Sequence, residues 1–118
     1  MNNNKFFINT TKEDTVCVLH LNGFLDALTS VVLEEEIKKN VDNNCFKIIL
    51  DLKSLTYISS AGLGVFMLYI EKIRKNEGDI IMTNLSKSIF EVMNLLGFDE
   101  IFHITNTVEE AINLFNNS

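Results

Sequence analysis

Residues 49–66 read ILDLKSLTYISSAGLGVF. The stretch opens on an apolar run, closes on small residues at helical spacing, and carries two adjacent hydroxyls, Ser59 and Ser60, between them. Ile48, Ile49 and Leu50 in succession predict a strand over residues 47–50, buried on both faces. The strand is expected to end at Asp51, with LKSLTYI as a loop leading into a helix over residues 61–75. A serine at such a helix start accepts a hydrogen bond from the N–H of N2 or N3, which stabilises the helix by about 1 kcal/mol. Only one hydroxyl can occupy the cap, so its neighbour is available for another role. A phosphate there would meet unpaired N–H groups at the positive end of the helix dipole and add roughly −1.5 to −2 charges.

Working outward, short apolar runs alternate with helix-period segments, the pattern of an α/β sandwich. Strands are expected at 6–9, 15–21, 47–50, 79–82 and 101–104, the first two an antiparallel pair around the polar turn TTKED. Helices are expected at 30–40, 61–75, 86–96 and after Thr107. Their predicted buried faces are Val31, Leu33 (or Val32) and Ile37; then Leu63, Phe66, Met67, Ile70 and Ile73; then Ile89, Val92, Met93 and Leu96. Glu34, Glu35 and Glu36 are expected to face water. Gly78 and Gly97 mark helix ends, and Thr107-Val-Glu-Glu110 reads as a capping box. The element order is ββαβαβαβα, with parallel strands after each helix.

The chain has 118 residues, no proline and no low-complexity linker, so residues 1–118 read as one domain with a single core. A formal charge of −6 disfavours nucleic acid and anionic membranes as partners. No apolar run approaches the roughly 20 residues that span a bilayer, and MNNNKFF is not a signal peptide, so a cytoplasmic location is expected. Cys17 and Cys45 lack a CxxC spacing and read as buried, reduced thiols. His20 and His103 have no second histidine at i+3 or i+4 and read as hydrogen-bonded strand residues. No phosphate loop, dinucleotide fingerprint or GxSxG elbow is present, and no His and acid are placed to activate a serine. Asp26 and Asp51 could pair across two strand ends to bind magnesium, but the acidic cluster that such sites need is not there; Glu13 and Asp14 fall in the hairpin turn. No catalytic residue, metal or cofactor is expected.

Three stretches give the chain a resemblance to the STAS domains of bacterial anti-sigma factor antagonists: LNGFLDALTS (21–30), the opening segment, and SKSIFEVMNLLGFDEIFHITNTVEEAI (86–112). The resemblance runs over about residues 6–114. It implies a STAS fold, a mixed and mostly parallel sheet of about five strands covered by about four helices. It implies a function in partner switching, hence transcription regulation by protein binding. The family's phosphorylated serine falls on Ser60, before Gly62. The implied partners are an anti-sigma factor that is a GHKL-type serine kinase, and a PP2C-type phosphatase. Asp26 matches the family's loop aspartate and Thr29 the hydroxyl that begins the first helix; with Ser59 and Gly62 they are the expected partner-binding residues, although turn and cap roles account for Asp26 and Thr29 equally well. Three positions depart from the family pattern: Ser59 stands where an acid is usual, Ala61 where Ser or Thr is usual, and Phe24 where a charge is common. Members without a working phosphosite serve as scaffolds or sensory modules, which is the alternative reading. Phe24, Ala27 and Leu28 could form an apolar patch near the site or be core residues.

Overall fold

The computed structural model describes residues 6–117. Its elements are β1 (Phe7–Glu13), β2 (Val16–Leu25), α1 (Ser30–Asp42), β3 (Lys47–Ile58), α2 (Ser60–Lys75), β4 (Asp79–Thr83), α3 (Lys87–Leu95), a short 3-10 helix (Phe98–Glu100), β5 (His103–Thr105) and α4 (Val108–Asn116). The order is the expected one. The strands form one sheet in the order β1-β2-β3-β4-β5; β1 pairs antiparallel with β2 and every other pair is parallel.

The alternation of side chains along each strand divides the interior in two. Leu19, Leu21, Ile48, Leu50, Ile80 and Met82 point to one face, where Leu33 and Ile37 of α1, Phe66, Ile70 and Ile73 of α2, and Ile89 and Met93 of α3 cover them. Phe66, fully buried, meets Phe102 edge to face at 6.3 Å between ring centres. Val16, Val18, Ile49 and Ile81 point the other way, against Ala111 and Phe115 of α4. Three helices therefore close one face, and a single nine-residue helix covers part of the other.

Several expectations need correction. LKSLTYI is strand, not loop: β3 runs twelve residues to Ile58, because β2 also extends, to Leu25, and pairs with it throughout. Two register shifts in that pairing bring Leu52, Leu55 and Ile58 to the core at intervals of three, which hid the strand from a period-two reading. The β1–β2 turn is tighter than TTKED, since β1 continues through Glu13 and only Asp14, at φ 56°, and Thr15 lie outside the strands. Val31 and Val32 of α1, Met67 of α2, and Val92 and Leu96 beside Met93 are exposed rather than core. Of the three glutamates only Glu35 is exposed; Glu34 and Glu36 are half-buried, and Glu36 accepts from the Thr10 hydroxyl at 2.6 Å. In the capping box the Thr107 hydroxyl accepts from the Glu110 N–H at 3.1 Å, and the Glu110 carboxylate takes the N–H of Asn106 at 2.8 Å rather than that of Thr107. Cys17 and Cys45 are buried as expected but joined in a disulfide, because the start of β2 lies beside the start of β3.

Candidate functional site

Ser59 and Ser60 divide the two roles that their position offers. Ser59, extended at φ −104° and ψ 169°, is the N-cap of α2 and accepts from the Gly62 N–H at 3.4 Å. Ser60 is the first helical residue, exposed, and its hydroxyl makes no hydrogen bond among the described residues. No acid lies in the first turn, so the positive end of the α2 dipole is uncompensated, whereas Lys72, Arg74 and Lys75 sit at the far end.

The β2–α1 turn is laid against this helix start. The Ser59 N–H donates to the Leu25 carbonyl at 2.8 Å. A Cβ on Gly62 would stand 2.6 Å from Leu25 Cγ, so only glycine lets α2 approach this closely. Asp26 follows Leu25 directly. Its carboxylate accepts from the N–H groups of Leu28 (3.0 Å) and Thr29 (2.9 Å) and from the Thr29 hydroxyl (3.0 Å). The Thr29 N–H, then its hydroxyl, hold the Asp26 carboxyl below the usual aspartate range. Thr29 begins α1 by position, but its hydroxyl turns back to the Phe24 carbonyl at 2.6 Å and caps no helical N–H. Asp26 and Thr29 are thus a self-locked turn, next to Ser59 and Gly62 through Leu25.

The surface around this corner is apolar. Phe24, Ala27 and Leu28 are all exposed, Leu28 at 82%. Phe24 leans on exposed Tyr57, ring centres 6.1 Å apart. Along α2, Ser60, Gly64 and Leu68 recur every four residues on one face; Leu68 is 60% exposed, and a Cβ on Gly64 would meet nothing within 4 Å. Gly64 weakens a helix interior by roughly 1 kcal/mol with no packing reason inside the molecule. Sequence reading missed Gly64, Leu68 and Tyr57; for the two on α2 the i, i+4 spacing from Ser60 was the available signal. A half-open cavity of about 420 Å³, lined by Lys47, Asp79, His103, Ile81 and Phe115 among others, lies at the opposite end of β3 from Ser60. The Ser60 corner is an exposed, largely apolar surface.

Asp26 and Asp51 do not form the carboxylate pair. Asp51 pairs in register with His20, while Asp26 follows Leu25, whose partner is Ile58, seven positions further along β3. Among the described residues no group of three His, Cys, Asp or Glu side chains could hold a metal ion, and no helix is long and apolar enough to cross a membrane.

A family model for the STAS domain matches residues 7–111. The chain belongs to the STAS domain family. It is 34% identical over 104 residues to BtrV, a candidate anti-sigma factor antagonist of Bordetella bronchiseptica, covering 88% of this chain and 90% of that one. An anti-sigma factor antagonist from Mycobacterium paratuberculosis superposes with a TM-score of 0.86 at 22% identity, over 96% of each chain. The Bacillus cell fate determinant SpoIIAA superposes at 21% identity in both its unphosphorylated form (TM-score 0.75, 97% of this chain, 100% of that one) and its phosphorylated form (0.70, 94% and 99%). These likenesses establish the STAS fold for the five-stranded sheet and its helices.

Proposed function

We propose that this chain, a single STAS domain over residues 1–118, is a cytoplasmic anti-sigma factor antagonist switched off by phosphorylation of Ser60. The observation that carries the reading is the division of labour at α2: Ser59 caps the helix, leaving the Ser60 hydroxyl exposed and free for a kinase. The relatives named as anti-sigma factor antagonists and the existence of a phosphorylated form of SpoIIAA support it. The partner is an anti-sigma factor that is itself a GHKL-type serine kinase; a PP2C-type phosphatase resets the switch. Ser59, Gly62, Asp26 and Thr29 hold the docking corner, with Leu28, Gly64 and Leu68 as its apolar contact surface. Unmodified, this corner docks on the kinase and the sigma factor goes free. The phosphate adds charge to the centre of an apolar contact, and its desolvation and repulsion release the kinase.

A second reading, a scaffold or sensory module with no phosphorylation cycle, draws on Ser59 standing where the family carries an acid. Intact-mass spectrometry after incubation with the cognate kinase and ATP separates the two. One added phosphate, absent from Ser60→Ala, is the expected result; no phosphate with a kinase that still binds the protein leaves the scaffold.

A further inference from the structure

The sheet face opposite α1–α3 carries a chain of polar side chains that the switch does not use. Thr11 on β1 is opposite Val18, His20 follows Val18 by two residues, and Asp51 follows Ile49 by two; all three therefore point to the α4 side. Thr11 Oγ1 lies 3.2 Å from His20 Nε2, and His20 Nδ1 lies 2.6 Å from Asp51 Oδ2. Asp51 Oδ1 accepts from the Asn84 side-chain amide at 2.9 Å and from the Lys53 N–H at 3.1 Å, so both carboxylate oxygens are anchored. The Asp51 side chain is 14% exposed and that of His20 33%, while Thr11 is open to solvent. Burial pushes the Asp51 carboxyl up, but the hydrogen bonds from Asn84, His20 and the Lys53 N–H outweigh it and hold it below the usual range. An ionised Asp51 fixes the proton of a neutral imidazole on Nδ1. Nε2 is then the basic nitrogen, and it faces the Thr11 hydroxyl.

We propose that Thr11, His20 and Asp51 form a second, covalent site, in which Thr11 accepts an acyl group from a small activated acyl donor with a phenolate or phosphate leaving group. A hydroxyl is too weak an acid to attack a carbonyl unaided, and a neutral imidazole oriented by a carboxylate is the base that acyl transfer uses. Thr11 Oγ1 attacks the carbonyl carbon and its proton passes to His20 Nε2, giving an imidazolium held by Asp51. Collapse of the tetrahedral adduct breaks the bond to the leaving oxygen, which takes that proton as it departs. The product is an ester on Thr11 and the free phenol or phosphate; His20 returns neutral. The branched Thr11 hydroxyl is hindered, which favours a small acyl group such as acetyl. His20 is the general base and Asp51 a positioning residue. None of this involves Ser60, so it stands or falls apart from the switch.

The full chain is treated with p-nitrophenyl acetate or, separately, acetyl phosphate, and acetyl occupancy is followed by peptide mass spectrometry. Thr56 is the internal control: it is exposed, but its hydroxyl donates to the Gly23 carbonyl and faces no base. Thr11 is expected to acetylate on the order of 10²-fold faster than Thr56 with at least one donor, the range general-base assistance supplies. His20→Gln and Asp51→Asn are expected to bring Thr11 down to the Thr56 rate, and Thr11→Ser to keep the fast reaction. Imidazole ¹⁵N shifts should place the proton of neutral His20 on Nδ1 in the wild type and move it towards Nε2 in Asp51→Asn. Thr11 labelling no faster than Thr56 with both donors, or unchanged in Asp51→Asn, overturns the proposal.

Discussion

The two faces of this sheet are finished in different ways. On one, α1, α2 and α3 exclude water from a continuous apolar core, and the rim of that core carries Ser60, Gly62 and the Asp26 turn. On the other, α4 buries a small cluster around Ile49 and Ile81, and the remainder of β1–β3 is left with Thr11, His20 and Asp51. The closed face ties its rim to the core: the Ser59 N–H donates to the Leu25 carbonyl and Gly62 packs directly on the buried Leu25 side chain. The open face holds its polar groups by hydrogen bonds that converge on the Asp51 carboxylate, from His20, Asn84 and the Lys53 N–H, and that depend on its ionisation. Substitutions on the first should therefore change binding or packing in one step; those on the second should act through pH.

The largest effect is expected at Ser60. Aspartate there places a charge at the first turn of α2, where the dipole favours it by about 0.3–1 kcal/mol, so folding should be unchanged or slightly improved. Binding to the proposed kinase partner should fall by roughly 100-fold or more, since a like charge or an unpaired buried one costs several kcal/mol at an interface. Calorimetric titration with the purified kinase measures it. Undiminished affinity in Ser60→Asp breaks the charge-switch account.

The two glycines of α2 sharpen the contrast within the closed face. Gly62→Ala should destabilise by about 1–3 kcal/mol, because its Cβ meets the buried Leu25 side chain at 2.6 Å. Gly64→Ala meets nothing and should stabilise the helix by up to about 1 kcal/mol. If Gly64 is there to let a partner approach, the same change weakens kinase binding while raising the melting temperature. A tighter or equal complex would leave Gly64 with no role in docking.

Much of this fold was legible in the sequence. β4 and the core of β2 are short continuous apolar runs, buried on both faces, and the buried stripe of α2 follows a period of 3.6, so each is read directly. The end of β3 was not, because its bulged pairing with β2 replaces period two by an interval of three. The exposure of Val31, Val32 and Met67 was not either, since an apolar residue on a helix reads the same whether a core or the solvent lies beside it. The candidate site divides in the same way. The cap and its neighbour follow from local chemistry at residues 59–62. The His20–Asp51 contact and the Cys17–Cys45 bond join residues 31 and 28 apart, and only strand register brings them together.

The open face should reveal itself by acid. The Asp51 carboxyl is lowered in the fold relative to an unfolded value near 3.8. Its contribution to stability is therefore complete above the unfolded pKa, shrinks as pH falls through that value, and is gone below the folded one. Chemical denaturation from pH 7 to pH 3 should show a steeper loss for the wild type than for Asp51→Asn. The difference should be on the order of 1 kcal/mol, the net worth of a charge-assisted hydrogen bond set against burial. Parallel curves would mean that other carboxylates carry the acid sensitivity.

The smallest effect returns to the closed face, at the serine beside the switch. Ser59→Ala removes an N-cap, which costs about 0.5–2 kcal/mol in general, and the 3.4 Å separation from the Gly62 N–H points to the low end. The Ser59 backbone N–H still donates to Leu25, so the corner keeps its shape. The melting temperature should fall by a few degrees, as expected for a domain of this size, while the unmodified protein binds the kinase as before. The variant also asks whether two neighbouring hydroxyls can exchange roles. With no cap at residue 59, the Ser60 hydroxyl is the nearest substitute, and taking that place would draw it away from the kinase. Phosphorylation of Ser60 in Ser59→Ala should thus slow more than binding weakens. Equal rates of phosphate transfer in the two proteins would show that the cap and the switch are independent, and that Ser59 serves the helix alone.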